Sequence, residues 1–258
     1  MIDTHCHLDL NLYNNIDEVI KKMNGNKIIA AGVDLKSSKH VLDLVDKYSN
    51  VYGVIGLHPE EVLSFDESFI NFLEENIKNP KIVGIGEIGL DYHYTKENID
   101  LQKEIFIKQI RLAKKYNKTI VVHSRDAAFD TLEILKEEAK DLKIVLHCFG
   151  YSLEMAKEFL KLNCMLGIGG VVTFKNGKKL VEVVENTSLD KLLLETDSPY
   201  LSPEPFRGKK NEPFNIIYVA EKIAELKGIT KEEVIETTYK NAINQFDLNY
   251  WMCYNFYS

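Results

Sequence analysis

The sequence predicts an α/β protein built as a (β/α)8 TIM barrel. Eight short, apolar β-rich runs alternate with longer amphipathic stretches, and 258 residues suffice for one such barrel. Polar side chains also stand at the carboxyl ends of run after run. A doubly wound open sheet shows the same alternation, but its strand ends spread along an edge instead of meeting at one mouth. The placement of the polar residues therefore favours the closed barrel.

The β-runs are nearly continuous in apolar residues, as parallel strands covered on both faces should be. Between them, apolar residues recur at helical spacing, as Leu101, Ile105 and Leu112 do. The predicted strands are Met1–His5, Lys27–Gly32, Val51–Leu57, Lys81–Glu87, Thr119–His123, Lys143–His147, Cys164–Ile168 and Lys191–Glu195.

The length allows two small domains or one large one, and the strand-end polar residues described below favour a single domain over residues 1–258. Hydrophobic residues make up 45%, which excludes a disordered chain, and no Ser-, Gly- or Pro-rich linker divides the sequence. The aromatic-rich tail at residues 249–258 is expected to pack against the barrel wall, with a partner-binding tail as the alternative. No protein partner is evidently required.

The sequence also predicts a cytoplasmic location. No apolar run approaches the ~20 residues of a membrane span, so we expect no membrane association. The first residues lack the basic and apolar regions of a signal peptide, and the four cysteines show no pairing pattern. Lys plus Arg number 32 against 39 for Asp plus Glu, and this net charge of -7 argues against holding nucleic acid by bulk charge.

Two histidines at the end of the first β-run give the strongest chemical signal. Strand periodicity points His5 and His7 the same way, into the barrel mouth, and turns Cys6 towards the helices. Two neutral imidazoles on one strand form half of a site for a divalent metal. Taken alone, the motif could also be a pair of surface histidines.

The same pattern recurs at the ends of later runs. A carboxylate at the end of a buried strand is costly unless it is paired or bound to metal. Any one of these residues could be a hydrogen-bonded core side chain, but their common position favours a metal centre. The later strand-end residues are His58, Glu87, His123, His147, Glu195 and Asp197.

We predict two divalent ions bridged by the carboxylate of Glu87, because six ligands exceed what one ion needs. Mixed imidazole and carboxylate sets suit Zn, Mn, Co, Ni or Fe and tolerate Mg less readily. The predicted ligands are His5, His7, Glu87 and Asp197 for the first ion, and Glu87, His123 and His147 for the second.

In order along the chain, these motifs resemble the TatD-type metal-dependent hydrolases, a branch of the amidohydrolase-like barrels. The resemblance implies a TIM-type barrel, a dinuclear metal site and cleavage of phosphodiester bonds in DNA, often as a 3′–5′ exonuclease. Some relatives are credited with deacylating D-aminoacyl-tRNA. The matching segments are DTHCHLD (3–9), GLHP (56–59), GEIGLDY (86–92), HSRDA (123–127), HCFG (147–150), ETDSPYL (195–201) and RGKKNEP (207–213).

The resemblance suggests roles for the residues around the ligands. In the expected reaction a metal-activated hydroxide attacks phosphorus, with Asp197 orienting the water or acting as a ligand only. His58, Arg125 and Arg207 are expected to contact the phosphate, since a guanidinium fork suits phosphate oxygens. A structural role for His58 and an internal salt bridge for Arg125 are the alternatives. Glu195 either orients a ligand histidine or forms a structural salt bridge.

The interpretation as a deoxyribonuclease has two competitors. An ester or amide hydrolase, such as a D-aminoacyl-tRNA deacylase, would use the same ligands. A non-catalytic metal-binding protein would be expected to have lost some ligand positions, and here all six are intact.

We also expect a positive mouth that takes a short single-stranded or 3′ end of DNA. Two divalent cations would bring four positive charges against the carboxylates of Glu87 and Asp197, leaving an excess of two. Arg125 and Arg207 would add to that excess.

Overall fold

The computed structural model describes residues 1–9, 11–94 and 96–248, so the aromatic tail at 249–258 lies outside the described residues. One parallel sheet carries eight strands in sequence order, with helices between them, and the predicted (β/α)8 barrel is confirmed. The strands are β1 (Ile2–Cys6), β2 (Lys27–Ala31), β3 (Val51–Ile55), β4 (Ile82–Asp91), β5 (Thr119–Arg125), β6 (Ile144–Leu146), β7 (Cys164–Ile168) and β8 (Leu192–Leu194).

The barrel closes where the segment after β8 meets β1. The backbone N–H of Asp197 donates to the carbonyl of His5 at 3.0 Å, and the N–H of His7 donates to the carbonyl of Ser198 at 2.7 Å. A bridge between Cys6 and Ser198 continues the parallel pairing. The seam therefore fixes Asp197 beside the two histidines of β1.

Amphipathic helices cover the outside of the sheet. In α2, Ser38, Val41, Leu44 and Val45 are buried at helical spacing, and the Asp34 side chain caps the first turn. No helix among the described residues is both long and apolar enough to cross a bilayer. The helices are α1 (Ile16–Lys22), α2 (Leu35–Lys47), α3 (Glu67–Asn76), α4 (Ile99–Lys115), α5 (Ala128–Glu138), α6 (Leu153–Leu160), α7 (Lys178–Asn186), α8 (Ile216–Lys227) and α9 (Lys231–Gln245).

The apolar core forms two layers on either side of the sheet. Side chains such as Val54 and Leu193 fill the barrel interior together with Phe246, which follows α9. Cys6 is fully buried in the outer layer against the helices, as strand periodicity predicts. The end of α9 covers the amino-terminal side of the barrel, where the hydroxyl of Thr119 donates to the carbonyl of Gln245. The carboxyl ends of the strands are left for a site.

Strand β4 runs four residues beyond the predicted end at Glu87. Its register shifts against β3 near Gly53 and against β5 between Ile85 and Ile88. Gly89 has a φ of +144°, and a Cβ there would lie 1.9 Å from the carbonyl oxygen of His123. Glycine thus lets β4 pass close to β5 next to two of the predicted ligands.

We predict that Gly89→Ala destabilises the protein by about 2–5 kcal/mol, because it adds a backbone clash to the strain of a positive φ. Gly25→Ala is the matched control, since Gly25 has a φ of +81° and a Cβ added there would meet no atom within 4 Å. The control should cost only about 1–2 kcal/mol. Urea unfolding measures both changes, and equal losses would contradict the close approach of β4 and β5.

Candidate metal centre

The six predicted ligands converge at the carboxyl end of the barrel around the buried side chain of Glu87. On one side, the Oε2 atom of Glu87 lies 3.2 Å from Nε2 of His5 and 3.5 Å from Nε2 of His7. Oδ1 of Asp197 lies 3.4 Å from the same nitrogen of His7 and 4.0 Å from that of His5. This half of the site corresponds to the ligand set predicted for the first ion.

The other oxygen of Glu87 faces a second group of imidazoles. Its Oε1 atom lies 2.7 Å from Nε2 of His147 and 2.9 Å from Nδ1 of His123. Nε2 of His58 approaches the same oxygen at 3.5 Å. The two oxygens of one carboxylate thus face two different sets of nitrogens, as a bridging ligand requires.

The donor atoms fit divalent cations. Nε2 of His5 and Nε2 of His7 are 3.3 Å apart, and Nδ1 of His123 and Nε2 of His147 are 3.4 Å apart. Nitrogens that face one another and a carboxylate at this range suit a cation that accepts their lone pairs. Three groups have ligand atoms within 4.8 Å of one another, namely His5 with His7 and Glu87, His5 with His147 and Asp197, and His58 with Glu87 and His123.

The grouping differs from the predicted sets in two respects. His58, which is not a predicted ligand, forms a group with Glu87 and His123. His5 and His147 share a group with Asp197, and their rings stack with centroids 3.9 Å apart. The two halves are therefore close enough that His5 and His147 stand side by side. Strand position alone predicts which residues converge, but it does not give the contacts between rings from strands on different sides of the barrel.

Hydrogen bonds on the far sides of two rings decide which nitrogen is free to bind metal. Nδ1 of His7 lies 3.3 Å from the carbonyl of Ala31, and Nε2 of His123 lies 3.0 Å from Oδ2 of Asp91. In the neutral rings these nitrogens carry the hydrogen, because their partners only accept. The opposite nitrogens then offer lone pairs to the centre.

The outer ring nitrogen of His58 accepts a hydrogen bond, whereas those of His7 and His123 donate one. Its Nδ1 atom accepts the backbone N–H of Glu60 at 3.2 Å, so the neutral ring carries its hydrogen on Nε2. That nitrogen points to Glu87 and the centre, where it can donate a hydrogen bond to an anion. The bonding pattern separates His58 from the predicted ligands, and it agrees with the expected contact to phosphate.

Asp91 is a candidate positioning residue that sequence reasoning missed. It is fully buried at the end of β4, and it accepts backbone N–H groups from His93 and Tyr94 as well as the ring of His123. Although burial opposes ionisation, these bonds lower the pKa of Asp91 to about 2. The available signal was a second carboxylate four residues after Glu87 in the same glycine-rich stretch.

Glu195 faces a ligand histidine. It is fully buried, its Oε1 atom accepts the N–H of Cys148 at 2.5 Å, and the same oxygen lies 3.7 Å from Nδ1 of His147. Among the described residues no lysine or arginine pairs with Glu195, so the salt bridge that it forms is to the ligand histidine His147 itself. Burial raises the pKa of Glu195 to about 7.

Burial and charge shift the pKa values of the central groups in opposite directions. Burial, together with the nearby His147, lowers the pKa of His5 to about 4. For His147 the Glu87 carboxylate outweighs burial and raises the pKa to about 10. Against burial, the surrounding imidazoles hold the pKa of Glu87 well below its usual range. Glu87 is therefore ionised at neutral pH.

The centre opens into a cavity of about 1350 Å³ whose wall is more acidic than predicted. Arg125 and Lys179 are its arginine and lysine lining residues, so the expected positive mouth would depend on the cations bound at the centre. Loop carboxylates that the strand-end pattern does not reveal account for the difference. The acidic lining residues are Asp9, Glu60, Glu61, Glu87, Asp91, Asp126 and Asp197.

The two predicted arginines lie in different places. Arg125 lines the cavity, and its guanidinium carbon lies 4.6 Å from the ring centroid of Tyr94. Arg207 is not among the lining residues, and its guanidinium instead stacks 4.2 Å above the ring of Phe174. The structure thus places Arg125 with the predicted ligands and His58, and leaves Arg207 outside that group.

Comparisons with known proteins agree with this fold and centre. The family described as TatD related DNase matches residues 2–247. A Bacillus subtilis protein named uncharacterized metal-dependent hydrolase YabD is 44% identical, covering 96% of this chain and 100% of its own length. The Escherichia coli protein YcfH, named in the same way, is 38% identical over 96% of both chains.

A solved structure extends the agreement to three dimensions. YjjV, a TatD homologue from Escherichia coli K12, superposes with a TM-score of 0.88 at 28% identity, covering 96% of this chain and 98% of its own. The barrel with its ligand groups at the strand ends defines a metal-dependent hydrolase. Within that class, the chain belongs to the TatD family.

We predict that Asp91→Asn lowers the affinity for divalent metal by about 10–100-fold, because the ring of His123 loses its charged partner. Asp126→Asn is the matched control. Asp126 also accepts from a histidine at 3.0 Å, but that histidine is the exposed His93. Metal titration of both variants by calorimetry gives the affinities, and equal affinities would contradict the positioning role of Asp91.

We also predict that metal binding releases protons and strengthens as pH rises. His147 has a pKa of about 10, and, against burial, Asp197 and Asp91 raise the pKa values of His7 and His123. A cation must displace these protons, so affinity should rise about tenfold per pH unit for each proton released. Calorimetry in buffers of different ionisation enthalpy counts the protons. Affinity that is constant between about pH 6 and about pH 8 would rule this out.

Proposed function

We propose that this protein is a deoxyribonuclease that cleaves phosphodiester bonds at strand ends, acting as a 3′–5′ exonuclease. The observation that carries the proposal is the geometry of Glu87, whose two oxygens face separate sets of imidazoles. This arrangement supports a pair of divalent ions. The family description, TatD related DNase, supports DNA as the substrate.

The residues that would hold two ions are those predicted from the strand ends. The ions, when bound, lower the pKa of a water molecule and neutralise charge on phosphoryl oxygens. Mg, Mn, Zn, Co, Ni and Fe remain the candidates, because the donor set mixes imidazole and carboxylate. The proposed ligands are His5, His7, Glu87, His123, His147 and Asp197.

The chain's own groups would bind the phosphate and move the proton. Nε2–H of His58 points into the centre and can donate to a phosphate oxygen, and Arg125 can contact a neighbouring phosphate from the cavity wall. Against burial, hydrogen bonding by His7 lowers the pKa of Asp197, so its carboxylate is ionised and can orient a water molecule. Asp197 lines the cavity, where it can also accept the proton.

The proposal extends to where the protein works. The described cysteines Cys6, Cys148 and Cys164 are free thiols, which supports a reducing compartment such as the cytoplasm. We also propose that residues 1–258 form a single domain, because the strands of one barrel extend from Ile2 to Leu194 and α9 closes its floor.

We predict that Glu87→Gln lowers DNA cleavage at least about a thousandfold, since a neutral bridge weakens the hold on both ions. Glu67→Gln is the control, because Glu67 is an exposed residue paired with Lys108 away from the cavity. The assay offers 3′-labelled single-stranded DNA and D-aminoacyl-tRNA side by side with Mg or Mn.

The two substrates separate the competing functions. Release of 3′ nucleotides by the native protein and the control, with loss in Glu87→Gln, supports the deoxyribonuclease. Deacylation without DNA cleavage would replace that function by the esterase alternative. Equal rates for Glu87→Gln and the native protein on every substrate would reject the dinuclear mechanism.

A further inference from the structure

Exposed aromatic side chains border the mouth of the cavity. The rings of Tyr94, Phe129 and Tyr200 are 63%, 76% and 53% exposed, and all three line the cavity. A single exposed apolar side chain is normal on a protein surface. Several around one polar cavity indicate a site for a ligand with flat apolar faces.

The barrel places these aromatic residues on two sides of the metal centre. Tyr94 follows β4 and Phe129 lies in the first turn of α5 after β5, whereas Tyr200 follows β8. In a closed sheet with strands in sequence order, β4 and β5 lie across the barrel from β8 and β1. The ring of Tyr200 comes within 6.2 Å of the His7 ring, measured between centroids.

Arg125 adds to the binding surface on the side of the mouth that carries Tyr94 and Phe129. Its guanidinium lies over the ring of Tyr94, with the carbon 4.6 Å from the ring centroid, and both groups line the cavity. A guanidinium on an aromatic ring presents a flat cationic surface on which a base can stack, next to a group that can contact phosphate.

The charge of the wall disfavours a double helix. Duplex DNA presents a phosphate charge about every 1.7 Å along its axis and is held mainly by lysine and arginine. Here the lining offers Arg125 and Lys179 against seven acidic residues, two of which are proposed metal ligands. Beyond the phosphate at the metal centre and the one that Arg125 can contact, the wall offers few cationic groups, so further affinity for a strand must come from other contacts. Stacking on aromatic rings supplies such contacts and accepts every base.

We propose that Tyr94, Phe129 and Tyr200 stack unpaired nucleobases on either side of the phosphate held at the metal centre. The strand is then held by its bases, on both sides of the centre, as well as by its phosphate. This inference rests on the proposed function and deepens it.

The test compares Phe129→Ala with Phe129→Trp and with Leu63→Ala. Leu63 is the matched control, because it is as exposed as Phe129, at 76%, but does not line the cavity. The substrates are a single-stranded oligonucleotide and the same strand with abasic residues at its 3′ end, and kcat/KM is measured for each.

If Phe129 stacks a base, removing the ring and removing the base should each lower kcat/KM by breaking the same contact. Phe129→Ala should lower kcat/KM for the normal strand by about 5–150-fold, and the native protein should lose at least that factor on the abasic strand, where all three rings lack a base. On the abasic strand, Phe129→Ala and the native protein should therefore have similar kcat/KM values. Phe129→Trp should retain more activity than Phe129→Ala, since it keeps an aromatic face, and Leu63→Ala should behave as the native protein does.

A second readout follows the base directly. A 2-aminopurine at the 3′ end of a strand with cleavage-resistant phosphorothioate links should lose fluorescence on binding to the metal-loaded native protein, and Phe129→Ala should weaken the quenching. If the native protein cleaves the normal and abasic strands equally well, and Phe129→Ala does too, stacking is refuted while the deoxyribonuclease stands. If the native protein cleaves neither strand, the proposed function fails and this inference fails with it.

Discussion

The buried carboxylate of Glu87 is the constraint on which the rest of the site depends. A charge that is 3% exposed is unstable unless opposite charge or hydrogen bonds compensate it. Among the described residues its close partners are imidazoles, and no lysine or arginine forms an ion pair with it. A protonated His147 balances part of this charge, and positive ions between the carboxylate and the neutral rings would balance it when metal is bound.

The surrounding fold holds that carboxylate and its imidazoles in position. Two register shifts and glycines in β4 bring Glu87 against β5, while Asp91 and Glu195 lie behind the rings that face its Oε1 atom. Each of these outer groups restricts the orientation of a ring. The site therefore has an inner layer of proposed ligands and an outer layer of carboxylates that orient them. Loss of an outer carboxylate is expected to lower the metal affinity of the centre.

The sequence predicts the barrel and the ligands because both follow from periodicity. The alternation of β4 and its neighbours with helices, and the strand-end position of His5 and His123, are visible in the order of residues alone. Arg207 could not be placed in this way, because a loop can turn its side chain towards Phe174 instead of the cavity. The sequence also predicts too early an end for β4. Glycines such as Gly89 are typical of loops, but here they allow two strands to approach closely.

The seam between β1 and the segment after β8 also bears on how the protein is made. Because synthesis proceeds from the amino terminus, His5 leaves the ribosome almost two hundred residues before Asp197 does. Their backbone contact forms only when that last strand has joined the first. A chain still being synthesised therefore carries its early histidines without the carboxylate that completes their half of the centre. That half of the centre is therefore complete only after β8 and the segment that follows it have been synthesised.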